Sequence, residues 1–296
     1  MSIYNYSIFE TVVEQSSFVK AANILNLTPS AISHAIAKLE SDFGFMLFVR
    51  SKTGVYLTGE GEKIYPHIKA ILKEEEYLNQ EVAQIHDIES GIISIGAFSS
   101  VTVHWLPEII KTFREKHPKI EIRVFTGGYD KIQEWIANRS VDIAFISDKV
   151  LPDNVDFIPL HKDPIVFVLP KDFKPHKNNY VTVDDVQNMN FVMQLTGDNQ
   201  ETVRIIKKYK LNVNFQFHIK DDNSIIAMVE AGFGISALPK LVCKGISRNV
   251  NICKFIPDEY RIIGLVCPSS HYISPATQKM KEHIIEFINK NNLSNV

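Results

Sequence analysis

The sequence has few cysteines and no long apolar run. Its 296 residues include three cysteines, Cys243, Cys253 and Cys267, a number too small for a disulfide framework and typical of a reducing compartment. No apolar stretch approaches the roughly 18 residues of a membrane span. The first residues carry no basic segment ahead of an apolar block, so we expect no signal peptide. These absences predict a cytoplasmic protein that does not enter a membrane.

An excess of positive charge is also missing. The chain has 32 Lys and Arg against 34 Asp and Glu, a net charge of −2. Residues 1–58 hold four cations and four anions, so even this segment is neutral. Bulk charge therefore gives no indication of a nucleic-acid partner, and any such function must depend on local geometry.

Sequence motifs of catalysis and metal binding are not found either. The sequence contains no His-Glu-x-x-His, phosphate-loop or Gly-x-Ser-x-Gly motif, and its ten histidines form no Cys/His cluster at zinc spacing. We therefore expect no enzyme, no metal and no cofactor. An enzyme built on a two-lobed fold is the alternative, because such folds also host catalysts, and turnover of a small molecule would favour it.

Residues 1–58 predict three helices followed by a β-ribbon. Ser16 or Ser17 can cap a helix over 18–25, and Thr28-Pro29 places a cap and a first-turn proline before a helix that runs to about Asp42. Strands are expected at 47–50 and 55–58, joined by a turn. This order is typical of a winged helix-turn-helix, although a small helical subdomain without a DNA role would show the same spacing.

Residues 59–88 predict one long helix with a heptad seam. Residues 59–89 carry eight acids against three lysines, so the other faces are expected to be solvated. We expect a dimerisation helix, and a helix that lies on its own domain is the alternative. The seam has Glu75 as its polar member, and its apolar positions are Ile64, Ile68, Ile71, Leu78, Val82 and Ile85.

Residues 89–296 alternate predicted strands and helices. Strands are expected at 92–96, 120–125, 141–146, 165–169, 191–194, 215–219, 235–238 and 261–267, and helices at 103–116, 132–138 and 275–290. This pattern predicts two α/β lobes with a cleft between them. We expect the first lobe to comprise approximately 89–161 and 267–296, and the second approximately 162–266.

Residues 9–61 contain a dense set of characteristic positions at fixed spacing. They are Phe9, Val12, Ser17-Phe18, Ala21-Ala22, Leu25, Leu27 to His34, Ile36, Leu39-Glu40, Gly44, Leu47-Phe48, Arg50, Leu57-Thr58 and Gly61. Further stretches in the remainder are His117-Pro118, Val141 to Ala144, and Ala231 to Ile235 before Leu238-Pro239. On these residues, the segment 9–61 resembles the N-terminal domain of LysR-type transcriptional regulators, and the remainder is similar to them in architecture.

The resemblance implies an α/β protein with an N-terminal all-α winged helix-turn-helix (1–58), a linker helix (59–88) and a bilobed effector domain like a type 2 periplasmic binding protein (89–296). Its partners would be double-stranded promoter DNA, a small-molecule effector, a second copy in a homodimer or homotetramer, and RNA polymerase. Its DNA contacts would be Thr28, Pro29, Ser30, Ser33, His34, Lys38, Arg50 and Lys52. Many members carry arginine at the position of His34, and a neutral histidine makes fewer contacts to guanine.

The effector is expected where strands end and helices begin. No arginine lies in these loops, which favours a small monoanion or a neutral polar molecule. Cys243 and Cys253 could alternatively form a redox pair, as in the peroxide-sensing branch of the family, but their apolar surroundings favour buried structural cysteines. The candidate effector residues are Ser99, Ser100, Thr102, Thr126, Ser147 and Thr196.

Overall fold

The structure, a computed structural model, describes residues 2–51, 54–86, 90–153, 155–176, 179–193, 200–219, 221–267, 273–291 and 293. The chain divides into two compact units, Met1–Ile88 with Asn138–Ser140, and Glu89–Ala137 with Val141–Val296. No helix in the described ranges has the length and hydropathy of a membrane span.

The first unit contains three short helices, a two-stranded ribbon and one long helix. Each predicted cap is used: Ser17 accepts a hydrogen bond from the Lys20 amide, and Thr28 accepts one from the Ala31 amide. The two strands of the ribbon, predicted at 47–50 and 55–58, begin one residue later and one residue earlier than predicted, respectively. The elements are α1 (Ile3–Gln15), α2 (Phe18–Leu25), α3 (Pro29–Phe43), β1 (Phe48–Ser51), β2 (Gly54–Leu57) and α4 (Gly59–Ile85).

One hydrophobic core joins the elements of the first unit. It includes Phe9, Ala21, Ile32 and Leu39, as the apolar spacing predicts, together with Ile68 from α4. Ile68 is only 2% exposed, and Ile64 packs against the same core. These two residues therefore correct the predicted intermolecular seam: the beginning of α4 lies on its own domain.

The second unit is a mixed α/β domain. Its strands are β3 (Gly91–Ala97), β4 (Ile120–Thr126), β5 (Ile143–Ser147), β6 (Phe157–Pro170), β7 (Tyr180–Thr182), β8 (Asn190–Met193), β9 (Asn214–His218), β10 (Ser236–Pro239), β11 (Val250–Ile256) and β12 (Tyr260–Val266). Its helices are α5 (Ser99–His104), α6 (Leu106–Lys116), α7 (Tyr129–Ala137), α8 (Val183–Val186), α9 (Gln200–Lys208), α10 (Asp222–Glu230) and α11 (Pro275–Lys290).

The described strands pair in the order β4-β3-β5-β12-β6-β11-β7, with β10 also paired to β6, while β8 pairs with β9. β3 is parallel to β4 and β5, whereas β12 is antiparallel to β5 and β6. The helix predicted at 103–116 is two helices that break at Trp105, because Pro107 lacks the amide hydrogen that a continuous helix would need.

Two strands connect the lobes of this unit. β6 runs from Leu160 in the core of the first lobe to Ile165 in the core of the second. β12 runs back from the second lobe to the first, and its residues Ile263 and Leu265 lie in the hydrophobic core of the first lobe. The return crossing therefore lies near Arg261, earlier than the predicted boundary at 266.

Candidate functional site

The N-terminal turn of α3 is exposed and carries most of the predicted DNA contacts. Thr28, Pro29, Ser30, His34 and Lys38 are exposed, and Ser33 is half-buried. The Thr28 hydroxyl accepts a hydrogen bond from the Ala31 amide at 3.2 Å and lies 3.0 Å from the Ser30 hydroxyl. The opposite face of α3 is buried through Ile32, Ile36 and Leu39, so its polar face is directed outward.

Glu40, a residue of the family pattern to which sequence analysis gave no role, holds the ribbon beside α3. Oε1 of Glu40 accepts hydrogen bonds from the Leu47 amide at 2.7 Å and the Phe48 amide at 3.3 Å. Lys38 makes no ion pair within the described part of the chain, which leaves its charge available. The Arg50 side chain, Lys52 and Thr53 lie outside the described residues.

Thr58 and Gly61 join the ribbon to α4. The Thr58 hydroxyl donates to the Met46 carbonyl at 2.8 Å and accepts from the Gly61 amide at 2.9 Å. A Cβ atom at Gly61 would lie 2.5 Å from the Leu47 carbonyl oxygen, so only glycine fits there. These contacts explain why threonine and glycine occupy positions 58 and 61.

The second half of α4 exposes a row of apolar residues. We name Ile71, Leu78, Val82 and Ile85 the α4 stripe; their exposed fractions are 42%, 62%, 46% and 77%. They are four of the six predicted seam residues. Leu78, Val82 and Ile85 follow at spacings of four and three, so they lie along one face of the helix.

Two predicted effector residues come together at the edge of the second unit. The Thr102 hydroxyl in α5 lies 3.2 Å from the Thr126 hydroxyl at the end of β4. Ser99 is exposed at the start of α5. Gly127 lets this turn approach Trp135, because a Cβ atom there would lie 2.8 Å from the indole ring.

Two other predicted effector residues, Ser147 and Ser100, have hydroxyls that are already hydrogen-bonded within the protein. Ser147 is fully buried and its hydroxyl accepts a hydrogen bond from the Lys149 amide at 3.3 Å, so Ser147 acts as a cap. Ser100 is also buried, and its hydroxyl accepts from the Arg261 guanidinium at 3.0 Å. Thr196 lies outside the described residues.

Arg261 is the centre of a buried group that sequence analysis missed. We name Ser100, Tyr129, Asp163, Glu201 and Arg261 the interlobe network; all five are at most 6% exposed. Arg261 donates to Oδ2 of Asp163 through Nε at 3.1 Å and through a terminal nitrogen at 2.9 Å. It also donates to the Tyr129 hydroxyl at 2.7 Å, and that hydroxyl donates to Oε1 of Glu201 at 2.7 Å.

Burial and the surrounding side chains set the protonation states of Arg261 and Tyr129. Burial alone would lower the pKa of Arg261, but the surrounding Tyr129, Asp163 and Glu201 outweigh it and raise the pKa. Burial raises the pKa of Tyr129. Arg261 is therefore a cation and Tyr129 a neutral hydroxyl near neutral pH. No spacing signal could have grouped these residues, because up to 161 positions separate Arg261 from its partners.

Cys243 and Cys253, considered above as a redox pair, are free thiols in the structure. Cys253 lies in one hydrophobic cluster of the second lobe and Cys243 in another. Burial raises the pKa of Cys243 to about 12 and that of Cys253 above its usual value. Because the thiolate is the reactive form, the raised pKa values favour the unreactive thiol, as expected of buried structural cysteines. Among the described residues, no group of three His, Cys, Asp or Glu side chains could hold a metal ion.

Comparison with protein families matches both units. A model described as "Bacterial regulatory helix-turn-helix protein, lysR family" matches residues 4–62. A model described as "LysR substrate binding domain" matches residues 86–288. Among curated relatives, the uncharacterized HTH-type transcriptional regulator YvbU of Bacillus subtilis (strain 168) is 28% identical over 272 residues, which cover 91% of this chain and 92% of that protein.

Solved structures share the fold. A full-length single-residue variant of OxyR from Pseudomonas aeruginosa aligns with a TM-score of 0.78 at 17% identity, over 98% of this chain and 95% of that one. The effector binding domain of QuiR in complex with shikimate aligns with a TM-score of 0.59 at 22% identity, over 68% of this chain and 98% of that one.

Proposed function

The chain belongs to the LysR family of DNA-binding transcriptional regulators, which are not enzymes, and from that premise we propose that α3 reads its operator in the major groove. The exposed N-terminal turn of α3 is the observation that carries this proposal. A helix of this kind places its first residues against base edges. Ser33 and His34 would contact bases. At the capped N-terminus formed by Thr28, Pro29 and Ser30, the amides of Thr28 and Ser30 would hold a phosphate, whereas Pro29 has no amide hydrogen and would only lie against the DNA.

Lys38 would contact phosphate, as would Arg50 and Lys52 from the ribbon. Such contacts fix the position of the protein on the duplex without reading sequence. Lys38 supports this role because it is exposed and has no ionic partner among the described residues. The neutral charge of residues 1–58 means that one domain offers few phosphate contacts, so affinity would depend on two domains acting together.

Variants separate these two roles. We expect Lys38→Ala to weaken binding to operator and random DNA alike and to reduce the slope of log K against log salt by about one. His34→Ala should instead reduce the preference for operator over random DNA. Fluorescence anisotropy on both DNAs measures each effect. Lys63→Ala, an exposed cation on α4, is the matched control and should change neither quantity.

We further propose that the effector is a small monoanionic or neutral polar molecule held by Ser99, Thr102 and Thr126. The 3.2 Å approach of the two threonine hydroxyls supports this proposal, because it places donors from α5 and β4 at one point. Among the described residues, the buried Arg261 already has its charge matched by Asp163, so it does not call for a multiply charged ligand. The shikimate bound by the QuiR domain is a ligand of this kind.

Thermal shift assays test the effector residues. The probes are shikimate, benzoate, pyruvate and lactate, each added to the full chain. A probe that binds at this point should stabilise the wild type and lose its effect in Thr102→Val and Thr126→Val. Thr112→Val is the control, because that hydroxyl is bound to α6 backbone and His283. If a probe stabilises the wild type and the three variants equally, it does not bind at Thr102 and Thr126.

We propose that the active form is a homodimer or homotetramer joined through the α4 stripe, and that it contacts RNA polymerase when bound at a promoter. A dimer would present two α3 helices to two half-sites, one helical turn or a multiple of it apart. The exposed apolar residues of the α4 stripe support this assembly, because a row of large apolar side chains along one helix face is a surface that a partner helix can cover.

A further inference from the structure

The interlobe network has a fixed centre. Arg261 and Asp163 lie opposite each other on the paired strands β12 and β6, and two charge-assisted hydrogen bonds join them. The other carboxylate oxygen of Asp163 accepts the Leu241 amide at 3.0 Å. Because these two residues sit where the strands cross between lobes, their hydrogen bonds join the two crossing strands, and we call this bonded pair the pivot.

The first lobe is attached to this pivot by several contacts. The Arg261 guanidinium donates to Ser100 at 3.0 Å and to the Tyr129 hydroxyl at 2.7 Å. It also lies over the Phe98 ring, 4.5 Å from its centroid. Phe98, Ser100 and Tyr129 all belong to the first lobe, so that lobe contacts Arg261 through two helix starts.

Helix α9 of the second lobe is attached to the network through one hydrogen bond. The Glu201 side chain, in the first turn of α9, accepts from the Tyr129 hydroxyl at 2.7 Å and makes no other hydrogen bond within the described part of the chain. Thr202 donates to the Ala237 carbonyl, which fixes α9 to β10 in its own lobe. The hydrogen bond from the Tyr129 hydroxyl therefore joins α7 of the first lobe to α9 of the second.

We propose that the hydrogen bond from Tyr129 to Glu201 is a latch that holds the two lobes closed in the effector-free chain. An effector bound at Ser99, Thr102 and Thr126 would compete with this latch, a step that depends on the function proposed above. The latch is well suited to opening, because the hydroxyl and the carboxylate both regain water when the lobes separate, so its net strength is modest. The bonds between Arg261 and Asp163 stay intact in both states.

Hydrogen–deuterium exchange on the full chain, without effector or DNA, tests the latch across the lobes. Tyr129→Phe removes the hydroxyl from the first lobe, and we expect the amides of α9 beyond its first turn to exchange about tenfold faster. Glu201→Ala removes the acceptor from the second lobe, and we expect the same acceleration in the amides of α7. The second variant decides the question if the first fails to fold.

Tyr209→Phe is the matched control. The Tyr209 hydroxyl also donates to a glutamate, Glu259, at 2.6 Å, but both residues belong to the second lobe. Its removal should leave exchange in α7 unchanged. The latch is refuted if each substitution accelerates exchange only in the lobe that carries it. That result would leave DNA binding by α3 untouched, and loss of operator preference would in turn leave the latch untouched.

Discussion

Several carboxylates in this chain each accept more than one hydrogen bond. Glu259 is 5% exposed and receives hydrogen bonds from Arg204, Lys208 and Tyr209. Asp185 receives the amides of His176 and Thr182 and the Thr182 hydroxyl. Burial would raise the pKa of either group, but these donors outweigh it, so both pKa values lie below the usual range.

Glu259 makes the stability of the second unit depend on pH. Its pKa is lowered from 4.5 to about 2, so the folded state binds fewer protons than the unfolded state over this interval. Its contribution is complete above pH 4.5 and is lost as the pH falls towards 2. From urea unfolding at pH 5 and pH 3, we expect the wild type to lose about 2 kcal/mol more than Glu259→Gln.

An exposed glutamate provides the comparison. Glu108 pairs with Lys111 at 3.6 Å on the surface, and such pairs contribute little to stability. Glu108→Gln should therefore retain the full pH dependence of the wild type. Equal losses for the wild type and Glu259→Gln would show that the ionised Glu259 carboxylate does not stabilise the fold.

Glu40 should stabilise the ribbon beside α3. Glu40→Ala leaves the Leu47 and Phe48 amides without their acceptor, and we expect a loss of about 1–3 kcal/mol in the free energy of unfolding. Glu40→Gln keeps a carbonyl oxygen in the same place and should lose less. Urea unfolding measures both. A Glu40→Ala protein as stable as the wild type would mean that water replaces the carboxylate without cost.

Among the elements, α4 differs in exposure along its length. Its beginning is held in the core of the first unit by Ile68, whereas the α4 stripe is exposed. We expect Leu78→Glu with Val82→Glu to raise the dimer dissociation constant by at least tenfold, since burying each apolar side chain contributes about 1.5–3 kcal/mol. Analytical ultracentrifugation measures the constant.

The control for this substitution is Gln84→Glu, which adds negative charge to an exposed position outside the stripe. It should leave the dissociation constant within a factor of two or so of the wild-type value, because surface charges are largely screened at physiological salt. If the double variant assembles as the wild type does, the α4 stripe is not the interface.

Elements with strong terminal signals could be predicted from the sequence. α2 has the predicted bounds because Ser17 caps it, and α11 begins at Pro275 and ends at Lys290 as expected. β6 was predicted only at 165–169, since Pro159, Asp163 and Pro164 interrupt its apolar pattern over residues 157–164. The strand is nevertheless continuous because β12 pairs with it on both sides of the crossing.

Of the candidate site, the DNA-binding part could be predicted from the sequence, whereas the interlobe network could not. The exposed face of α3 follows from local periodicity, which needs only neighbouring residues. The interlobe network depends on contacts between residues far apart in sequence, such as Asp163 and Arg261, and local patterns contain no information about them. Ser100 was singled out as an effector residue, yet the buried guanidinium occupies its hydroxyl.

At the scale of the whole molecule, the two units give the chain the parts of a regulator. The first unit presents α3, and the second contains a pair of lobes whose crossing strands meet at Arg261. A ligand that binds one arrangement of the lobes more tightly shifts the population of arrangements, and in the proposed dimer we expect that shift to alter how the two α3 helices meet DNA. The central claim is therefore sequence-specific DNA binding.

Fluorescence anisotropy of labelled DNA from the region upstream of the protein's own gene tests this claim most directly. The titration is made at two salt concentrations, beside random DNA of equal length. We expect the upstream DNA to bind about a thousandfold more tightly than random DNA at the same salt. Equal and weak binding to both DNAs, with the same salt dependence, would contradict the claim that α3 reads this sequence.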